Sequence, residues 1–448
     1  MASLASMTRP DPHDTPRDRI DARRQAVFAR LDAGVMVLPA APVQYSSRDG
    51  ARPYHPDREL YYVTGSTEPE TIAVLSGGDE PRLVLFVRDR DPEAELWGGV
   101  RLGINGASER FRPDECHPIS DLPAKLPDLV ERADRIFFRL GRGDALEQMV
   151  VEALGRARAR GPRTGTGPRA IVDPGEILDD LRLLKDEYEL ETLRHAAAIS
   201  VEGQRAAARV LAPGVGEWTA EAALEGAFRS AGGSGPAFET IVGSGKNACV
   251  LHYVTNRAVV REGALVLIDA GSEYGLYAGD VTRTYPASGR FTGPQRDVYE
   301  VVEGALRAAI AAVTPGVSIA DVHDAATRVL AQGLVELGVL SGPVDEIIEG
   351  ERYKPYFPHR TSHWLGLDVH DPGDYVRDGA SRVLEPGMVF TVEPGLYFGP
   401  GVTESGGFGG IGIRLEDDVA VTADGCEVLS ADLPTGLDDV EALVGASS

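Results

Sequence analysis

The spacing of apolar residues changes along the chain, from short runs to one long helical pattern. Short apolar runs between polar, proline- and glycine-rich stretches predict buried strands. These runs are AGVMVLPA (33–40), TIAVLSG (71–77), RLVLFVRD (82–89) and RIFFRL (135–140). ALEQMVVEALGRARAR (145–160) instead has the period of an amphipathic helix. Residues 21–174 are therefore predicted to form an α/β domain.

A second domain is predicted over residues 175–440, because a longer helical pattern begins at Asp186 and strand-like runs follow it. The expected fold class is therefore mixed α/β (α+β). Residues 1–20 lack the apolar core of a signal peptide and are predicted to be a disordered tail. Residues 441–448 are predicted to be a short C-terminal tail.

An internal repeat is the most informative pattern in the second domain. REGALVLIDAG (261–271) and EPGMVFTVEPG (385–395) align without a gap. Each copy has a glycine, an apolar run, a carboxylate and a second glycine, which is the pattern of a tight turn, a buried strand and an acid at its end. The two carboxylates are Asp269 and Glu393.

Each copy of the repeat also leads to a second polar strand with another acid. These acids are Asp280 in YAGDVTRTYP and Glu416 in GIGIRLEDDVAV. Duplication of one hairpin is the better interpretation of this likeness. Two such hairpins about a pseudo-twofold axis would bring four acids together, and four like charges are costly unless cations neutralise them. The repeat therefore predicts a site for two divalent metal ions.

Three of the nine histidines fall in HRTSHWLGLDVHD, residues 359–371. His359 and His363 have the spacing of the zinc-protease motif H-E-x-x-H, but Arg360 stands where that motif needs a glutamate. The alternation of apolar and other residues in LGLDVH predicts a strand, and not the helix that a two-histidine chelate would occupy. We therefore expect a single histidine, His363, to complete a metal site made mainly of oxygen ligands.

Composition and charge narrow the function classes further. Of the 448 residues 43% are hydrophobic and 25% charged, as in ordinary soluble globular proteins, and the net charge is −24. This charge repels phosphate groups and anionic lipid, so neither nucleic-acid nor membrane binding is expected. The three cysteines lie far apart, and no apolar run approaches the roughly 20 residues of a membrane span. We expect a cytoplasmic, enzyme-sized protein.

Several motifs together resemble the pita-bread metallopeptidases and, within them, the Xaa-Pro aminopeptidase (aminopeptidase P) family, with the prolidases next. In the second domain these motifs are VLIDAG with YAGDVTRTYP, SHWLGLDVHD, FTVEPGLY and GIGIRLEDD. In the first domain they are RRQAVFARLDAGVMVLPAAP, ELYYVTGSTEPETIAVL and ELWGGVRLG. The resemblance covers nearly the whole chain after the first twenty residues. It implies a creatinase/prolidase-like N-terminal domain and a pita-bread catalytic domain.

The resemblance also implies an activity and a ligand set. The chain would be a metal-dependent exopeptidase that hydrolyses the bond between an N-terminal residue and a following proline, by attack of a metal-bridging hydroxide. Hard oxygen donors with one nitrogen favour Mn²⁺, although Co²⁺ or Zn²⁺ would suit the same site. Asp280 and Glu416 would bridge the two ions. The implied ligands are Asp269, Asp280, His363, Glu393 and Glu416.

Further residues receive roles through the same resemblance. Glu393 would be the general base as well as a ligand, and His370 would donate to the oxyanion. His252 would contact the substrate's N-terminal residue or its scissile carbonyl, and His359 would line the proline pocket. Two expectations complete the set: Tyr397 and Arg414 would form a supporting relay with Asp269, and Trp97 would reach the active site of a neighbouring subunit in a homodimer or homotetramer.

Two alternatives remain open. A prolidase restricted to Xaa-Pro dipeptides would use the same metal ligands, and only the space beyond the proline would differ. A pita-bread module without catalysis would instead serve as a binding or chaperone domain, but such relatives lose ligands, whereas all five are present here. Peptides with proline at the second position are the expected substrates.

Overall fold

A six-stranded mixed sheet organises the first of two units, into which the chain divides between Leu181 and Arg182. The computed structural model describes residues 15–402 and 406–445. The tail predictions for residues 1–14 and 446–448 therefore lie outside the described residues. Residues 17–20, predicted as part of the N-terminal tail, are helical, and so are residues 441–443.

The first unit alternates helices and strands along the chain. Its elements are α1 (Arg17–Leu31), β1 (Val35–Pro39), α2 (Arg58–Thr64), β2 (Ile72–Ser76), β3 (Arg82–Val87), α3 (Pro92–Gly98), α4 (Gly103–Phe111), β4 (Glu115–Pro118), α5 (Leu122–Val130), β5 (Ile136–Phe137), α6 (Ala145–Thr164) and β6 (Ile171–Val172). The helix α7 (Gly175–Leu183) crosses the division.

The four apolar runs predicted as strands form the centre of this sheet. They become β1, β2, β3 and β5, and the predicted amphipathic helix becomes α6. The strand order is β4-β3-β2-β1-β5-β6, in which β1 to β3 are antiparallel and the outer pairs are parallel. Residues of β1 and β3 are buried along almost their whole length, which explains why these strands read as continuous apolar runs.

The second unit contains long helices and several short, mostly antiparallel sheets. Its elements are α8 (Glu187–Val210), α9 (Glu217–Ala231), β7 (Gly235–Pro236), β8 (Ile241–Ser244), β9 (Leu265–Ala270), β10 (Ser272–Tyr274), β11 (Tyr277–Ala278), β12 (Val281–Pro286), α10 (Gly293–Ala312), α11 (Ile319–Glu336), α12 (Val344–Glu349), β13 (Val376–Arg377), β14 (Ala380–Ser381), β15 (Val389–Val392), β16 (Gly395–Tyr397), β17 (Gly412–Arg414), β18 (Asp417–Val421), β19 (Cys426–Val428) and α13 (Leu437–Leu443).

The long helix α8 begins where the sequence predicts. Asp186 is its N-cap and accepts a hydrogen bond from the backbone N–H of Glu189, whose side chain accepts one in return from the Asp186 N–H. Further along, Gln204 donates to the carbonyls of Ile268 and Val281 at 3.1 and 2.7 Å. The helix is thereby attached to both strands of the first repeated hairpin.

The two copies of the repeat form two antiparallel hairpins. In the first, β9 pairs with β12, and in the second, β15 pairs with β18. The first glycine of each copy, Gly263 or Gly387, has a positive φ (69° and 94°), as the tight turn before each strand requires. The predicted pair of hairpins is therefore present in the fold.

The hairpins meet where their second strands begin. The backbone N–H of Asp280 donates to the Asp418 carboxylate at 3.1 Å, and the N–H of Glu416 donates to the Thr282 carbonyl at 3.0 Å. Each hairpin thus holds the backbone of the other at an acidic residue. The buried guanidinium of Arg283 reinforces this contact, because it donates to Asp417 at 2.7 Å.

The strand predicted for LGLDVH is wrong. Trp364 makes one isolated bridge to Phe390, and residues 366–370 then form bends. The cause is tertiary: Asp371 is buried and accepts from Arg182 at 2.6 Å and from Lys185 at 3.0 Å. These ion pairs draw the chain back on itself, and the Asp371 N–H closes the loop on the Trp364 carbonyl at 2.9 Å.

The second glycine of the repeat predicts a sharp stability effect. A Cβ at Gly271 would lie 1.6 Å from the carbonyl oxygen of Gly279, a backbone atom that has no rotamer with which to move away. Gly271→Ala is expected to lower the free energy of unfolding by about 3 kcal/mol in urea titrations followed by circular dichroism.

Gly226→Ala is the matched control for this prediction. Gly226 is exposed in α9, and a Cβ there would meet nothing within 4 Å. The control is expected to be neutral or to stabilise the helix by up to about 1 kcal/mol. Equal unfolding midpoints for the two variants would contradict the close approach at Gly271.

Candidate metal centre

Four acidic side chains converge at the junction of the two hairpins. Asp269 is the last but one residue of β9, and Glu393 follows β15 directly. Asp280 and Glu416 directly precede β12 and β18, the strands that start side by side. All four acids and His363 line one cavity of about 440 Å³. The structure therefore brings together the five residues predicted as ligands.

The spacing within this group suits a shared cation. Ligand atoms of Asp280, His363 and Glu416 all lie within 4.8 Å of one another. His363 Nε2 is 3.4 Å from Asp280 Oδ2 and 3.8 Å from Glu393 Oε1. The other ring nitrogen, Nδ1, is 3.1 Å from the Trp364 carbonyl, to which it can donate. This hydrogen bond leaves the Nε2 lone pair directed at the acids, as in a metal-binding histidine.

The pKa values of the acids also indicate that a positive charge would stabilise the site. Burial, together with the charges of Asp269, Asp418 and Glu393, raises the pKa of Asp280 well above its ordinary value. Burial and the Asp280 charge do the same to the pKa of Glu416, and withdrawal from water raises the pKa of Glu393 to about 7. Ionising all of them without a counter-charge is therefore unfavourable.

Two oxygen atoms at this site lack hydrogen-bond partners among the described residues. Asp269 Oδ1 and Asp280 Oδ1 are both buried, and neither accepts a hydrogen bond. A buried carboxylate oxygen left unpaired is costly, and a cation would satisfy it. The donor set, four carboxylates and one imidazole, thus fits divalent metal ions.

A hydrogen-bonded chain extends from the acids to His359. Arg414 donates through Nη2 to Asp269 and through Nη1 to the Tyr397 hydroxyl at 2.9 Å. His359 Nε2 lies 2.9 Å from the same hydroxyl, and its Nδ1 lies 2.8 Å from the Arg360 carbonyl. Burial, with the nearby Arg414 charge, lowers the pKa of His359 to about 3, so this imidazole is neutral. Nδ1–H then donates to the carbonyl, and Nε2 accepts from Tyr397.

His252 and His370 line the same cavity from its exposed side. The rings of His370 and His363 meet edge to face, with centroids 4.4 Å apart. Partial burial and the neighbouring His363 lower the pKa of His370, so it carries no charge near neutral pH. All of the predicted histidines in the second domain's site therefore face one space, with different degrees of contact with the acids.

Trp97 lies on helix α3 of the first unit, whereas the other predicted site residues belong to the second unit. Its side chain is 86% exposed, and its neighbour Leu96 is 81% exposed. The proposed reach of Trp97 into a second subunit stays a prediction.

Sequence reasoning missed the residues that hold the two loops of the cavity. Glu217 is buried and accepts from Tyr253, Asn247, Ser244 and the Ala258 N–H, which fixes the segment that carries His252. Burial alone would raise the pKa of Glu217, but these hydrogen bonds hold it below its ordinary value. The His370 loop is held by Lys185, which donates to Asp371. The signal for this contact in the sequence was the rarity of lysine, since Lys185 is one of only four in the chain.

The fold and the site define a metal-dependent hydrolase, since a cluster of carboxylates lies at the junction of two repeated hairpins and lines a cavity of about 440 Å³. The chain belongs to metallopeptidase family M24, whose family model matches residues 191–423. Residues 20–137 match the aminopeptidase P N-terminal domain. These matches confirm the predicted family and fold class.

Individual relatives resemble the chain over nearly its whole length. An Xaa-Pro aminopeptidase of Escherichia coli is 40% identical over 434 residues, which cover 96% of this chain and 98% of that protein. The solved structure of a Pseudomonas aeruginosa aminopeptidase has a TM-score of 0.92 and 42% identity, and covers 96% of this chain and 98% of that one. Zinc-substituted E. coli aminopeptidase P in complex with product also has a TM-score of 0.92, with 39% identity and coverage of 97% and 99%.

The raised pKa values predict how stability of the metal-free protein changes with pH. Glu393 has a pKa of about 7 in the folded chain, against about 4.3 when unfolded. Between these values the folded chain binds more protons, so raising the pH through this window removes stability. The melting temperature of EDTA-treated protein is expected to fall by about 5 °C from about pH 5.5 to about pH 8.

Two comparisons isolate the cause of this pH dependence. Saturating Mn²⁺ should remove most of the decline, because the ions neutralise the acids. Metal-free Glu393→Gln should show a shallower decline, because one titrating group is gone. An identical slope in all three samples would show that the overall net charge, and not the site, causes the decline.

Proposed function

We propose that the chain is an Xaa-Pro aminopeptidase, which hydrolyses the bond between an N-terminal residue and a following proline. The observation that carries the proposal is that the five side chains proposed as metal ligands and three further histidines line one cavity. Relatives that carry the name Xaa-Pro aminopeptidase are 32–40% identical to this chain in alignments that cover 93–96% of it, and they support the same activity.

The cage residues Asp269, Asp280, His363, Glu393 and Glu416 would hold two divalent ions. Mn²⁺ suits a set of hard oxygen donors with one nitrogen, and Co²⁺ or Zn²⁺ would be accepted by the same donors. When bound, such ions supply an activated water and polarise the scissile carbonyl. Arg414 orients the Asp269 carboxylate, because it donates directly to it.

Glu393 is the group best placed to move a proton. Its pKa of about 7 in the metal-free chain shows how little the surroundings stabilise its charge, and it faces the cavity beside His363 and His359. It takes a proton from the attacking water and gives it to the proline nitrogen as the bond breaks. Because the same carboxylate holds the proton between these two steps, Glu393 serves first as the base and then as the acid.

Three histidines bind and polarise the substrate. His370 donates to the carbonyl oxygen, and His252, also at the exposed side of the cavity, contacts the N-terminal residue. His359 is held by its hydrogen bond with Tyr397 and by an edge-to-face contact with Phe357, whose ring centroid is 4.8 Å away, and it offers a flat face to the pyrrolidine ring. Such a pocket suits proline, whose nitrogen lacks a hydrogen and whose ring obstructs binding as an extended strand.

A prolidase would require the space beyond the proline to be closed. Here a second cavity, of about 480 Å³, adjoins the first at Arg360 and Ser362, and we expect it to receive the part of a longer peptide that follows the proline. This observation favours an aminopeptidase over a dipeptidase. The intact ligand set likewise disfavours a module without catalysis.

Other expectations complete the proposal. We expect the protein to form a homodimer or homotetramer, in which Trp97 contacts a neighbouring subunit. The three cysteines are unpaired in the structure, as is usual in a reducing compartment, which supports a cytoplasmic location. Among the described residues, none of the helices is both long and apolar enough to cross a membrane.

A peptide-length assay with Mn²⁺ tests the activity directly. Xaa-Pro-Xaa tripeptides and longer peptides are expected to be cleaved after the first residue, with release followed by mass spectrometry. Peptides with alanine in place of proline should be cut far more slowly. Cleavage confined to dipeptides would make the chain a prolidase, and absence of bound metal and of activity would support the non-catalytic alternative.

Substitution of the proposed base gives a separate prediction. Glu393→Gln keeps a ligand oxygen but loses the proton acceptor, so kcat is expected to fall at least about 100-fold while the fold is retained. Glu300→Gln, on the exposed face of α10, is the matched control and should keep full activity. Near wild-type turnover of Glu393→Gln at saturating Mn²⁺ would remove Glu393 from this role.

A further inference from the structure

A second cavity adjoins the catalytic cavity, and a single short segment separates them. Arg360 and Ser362 line both spaces, which measure about 480 and 440 Å³. The residue between them, Thr361, is fully buried and bonds to the ring of His323 at 2.9 Å. The segment is thus anchored through Thr361, and its two neighbours face the cavities.

Arg360 brings an unpaired charge to this wall. Its guanidinium is exposed and makes no ion pair with any of the described residues, although the chain as a whole carries a net charge of −24. Among the described residues lining the second cavity, it is the only one that is permanently charged. His323 does not add a charge there, because burial lowers its pKa to about 4.

Ser362 offers a second unsatisfied group at the same place. Its hydroxyl oxygen is buried and has no hydrogen-bond partner within the described part of the chain. Buried hydroxyl groups are nearly always bonded, and one that lines a cavity is available to a ligand. The remaining walls include Tyr375, Val376 and Ile319, which can pack against carbon atoms.

The order of residues along the segment orients a bound peptide. His359, which faces the proline in the proposed complex, directly precedes Arg360. Successive residues of a peptide advance by at most about 3.6 Å in any conformation, and an arginine side chain reaches farther than this. We therefore expect the residue that follows the proline to lie within reach of the guanidinium.

We propose that Arg360 is a specificity-determining residue, which selects peptides that carry a carboxylate on the residue following the proline. That residue would occupy the second cavity, with Ser362 as an additional hydrogen-bond partner. The carboxylate is either the C-terminus of a tripeptide or an acidic side chain at the third position. This inference rests on the proposed function and defines which Xaa-Pro peptides that site prefers.

The expected size of the preference for a carboxylate depends on how exposed the Arg360 guanidinium is. A guanidinium and a carboxylate that meet in partly solvated surroundings gain up to about 1 kcal/mol, or about three- to fivefold in kcat/KM. The interaction is screened by salt, so the preference should shrink at about 0.5 M ionic strength. A purely structural arginine would not show this dependence.

Four substrates test the proposal with the Mn²⁺-loaded enzyme. They are the tripeptide Ala-Pro-Ala, its C-terminal amide, the amide of Ala-Pro-Asp, and the dipeptide Ala-Pro. The wild-type enzyme is expected to favour the first and third over the uncharged amide by about three- to fivefold. A preference for Ala-Pro-Ala alone would show that the C-terminus supplies the carboxylate. A preference for the amide of Ala-Pro-Asp alone would show that the side chain does.

Three variants assign the preference to Arg360. Arg360→Ala should bring all tripeptides to the rate of the uncharged amide, and Arg360→Lys should keep part of the preference. Lys354→Ala is the matched control, since Lys354 is an exposed cation of the same region that pairs with Glu351 and lines neither cavity. It should behave as wild type.

The outcomes separate this inference from the proposed function. Equal kcat/KM for the acid and amide peptides, or an equal loss on both in Arg360→Ala, would overturn the role of Arg360 while leaving the peptidase activity intact. Dependence on Arg360 for the dipeptide alone would place the carboxylate contact on the proline itself and also overturn it. Failure to cleave any of the proline peptides would overturn both.

Discussion

The mutual repulsion of four buried or partly buried carboxylates is the constraint on which the second unit depends. Asp269, Asp280, Glu393 and Glu416 are held within one cavity by two hairpins, and their surroundings provide few compensating charges. Arg414 neutralises one of them and at the same time positions Tyr397 and, through it, His359. The remaining negative charge is what selects multivalent cations, so affinity for metal and the cost of folding without metal have the same origin.

Much of this arrangement could be predicted from the sequence, because it depends on local patterns. Gly263 and Gly387 mark turns that require a positive φ, and the apolar runs after them are short buried strands. The acids at the ends of those strands follow from the pattern alone. Asp186 likewise marks the start of α8, since its side chain caps the first turn. The likeness between the hairpins then indicated that the acids would meet.

The parts that sequence reasoning missed depend on partners far away in the chain. LGLDVH alternates like a strand, but Asp371 pairs with Arg182 and Lys185, and this tertiary contact bends the segment. Glu217 is similar, because its five hydrogen bonds come from residues 244–258, and nothing in its own helix indicates them. From the sequence, Arg360 could be recognised only as a departure from a zinc-binding motif. Its position between two cavities depends on the hydrogen bond that anchors Thr361 to His323.

The contact between the hairpins also bears on how the protein is made. The residues proposed as metal ligands are spread from Asp269 to Glu416, and the N–H of Glu416 donates to the Thr282 carbonyl of the first hairpin. A chain emerging from the ribosome therefore presents its first two acids long before β18 is synthesised. Until then, no complete cage exists to retain an ion. The four acids can therefore come together in one cavity only once the second hairpin is in place.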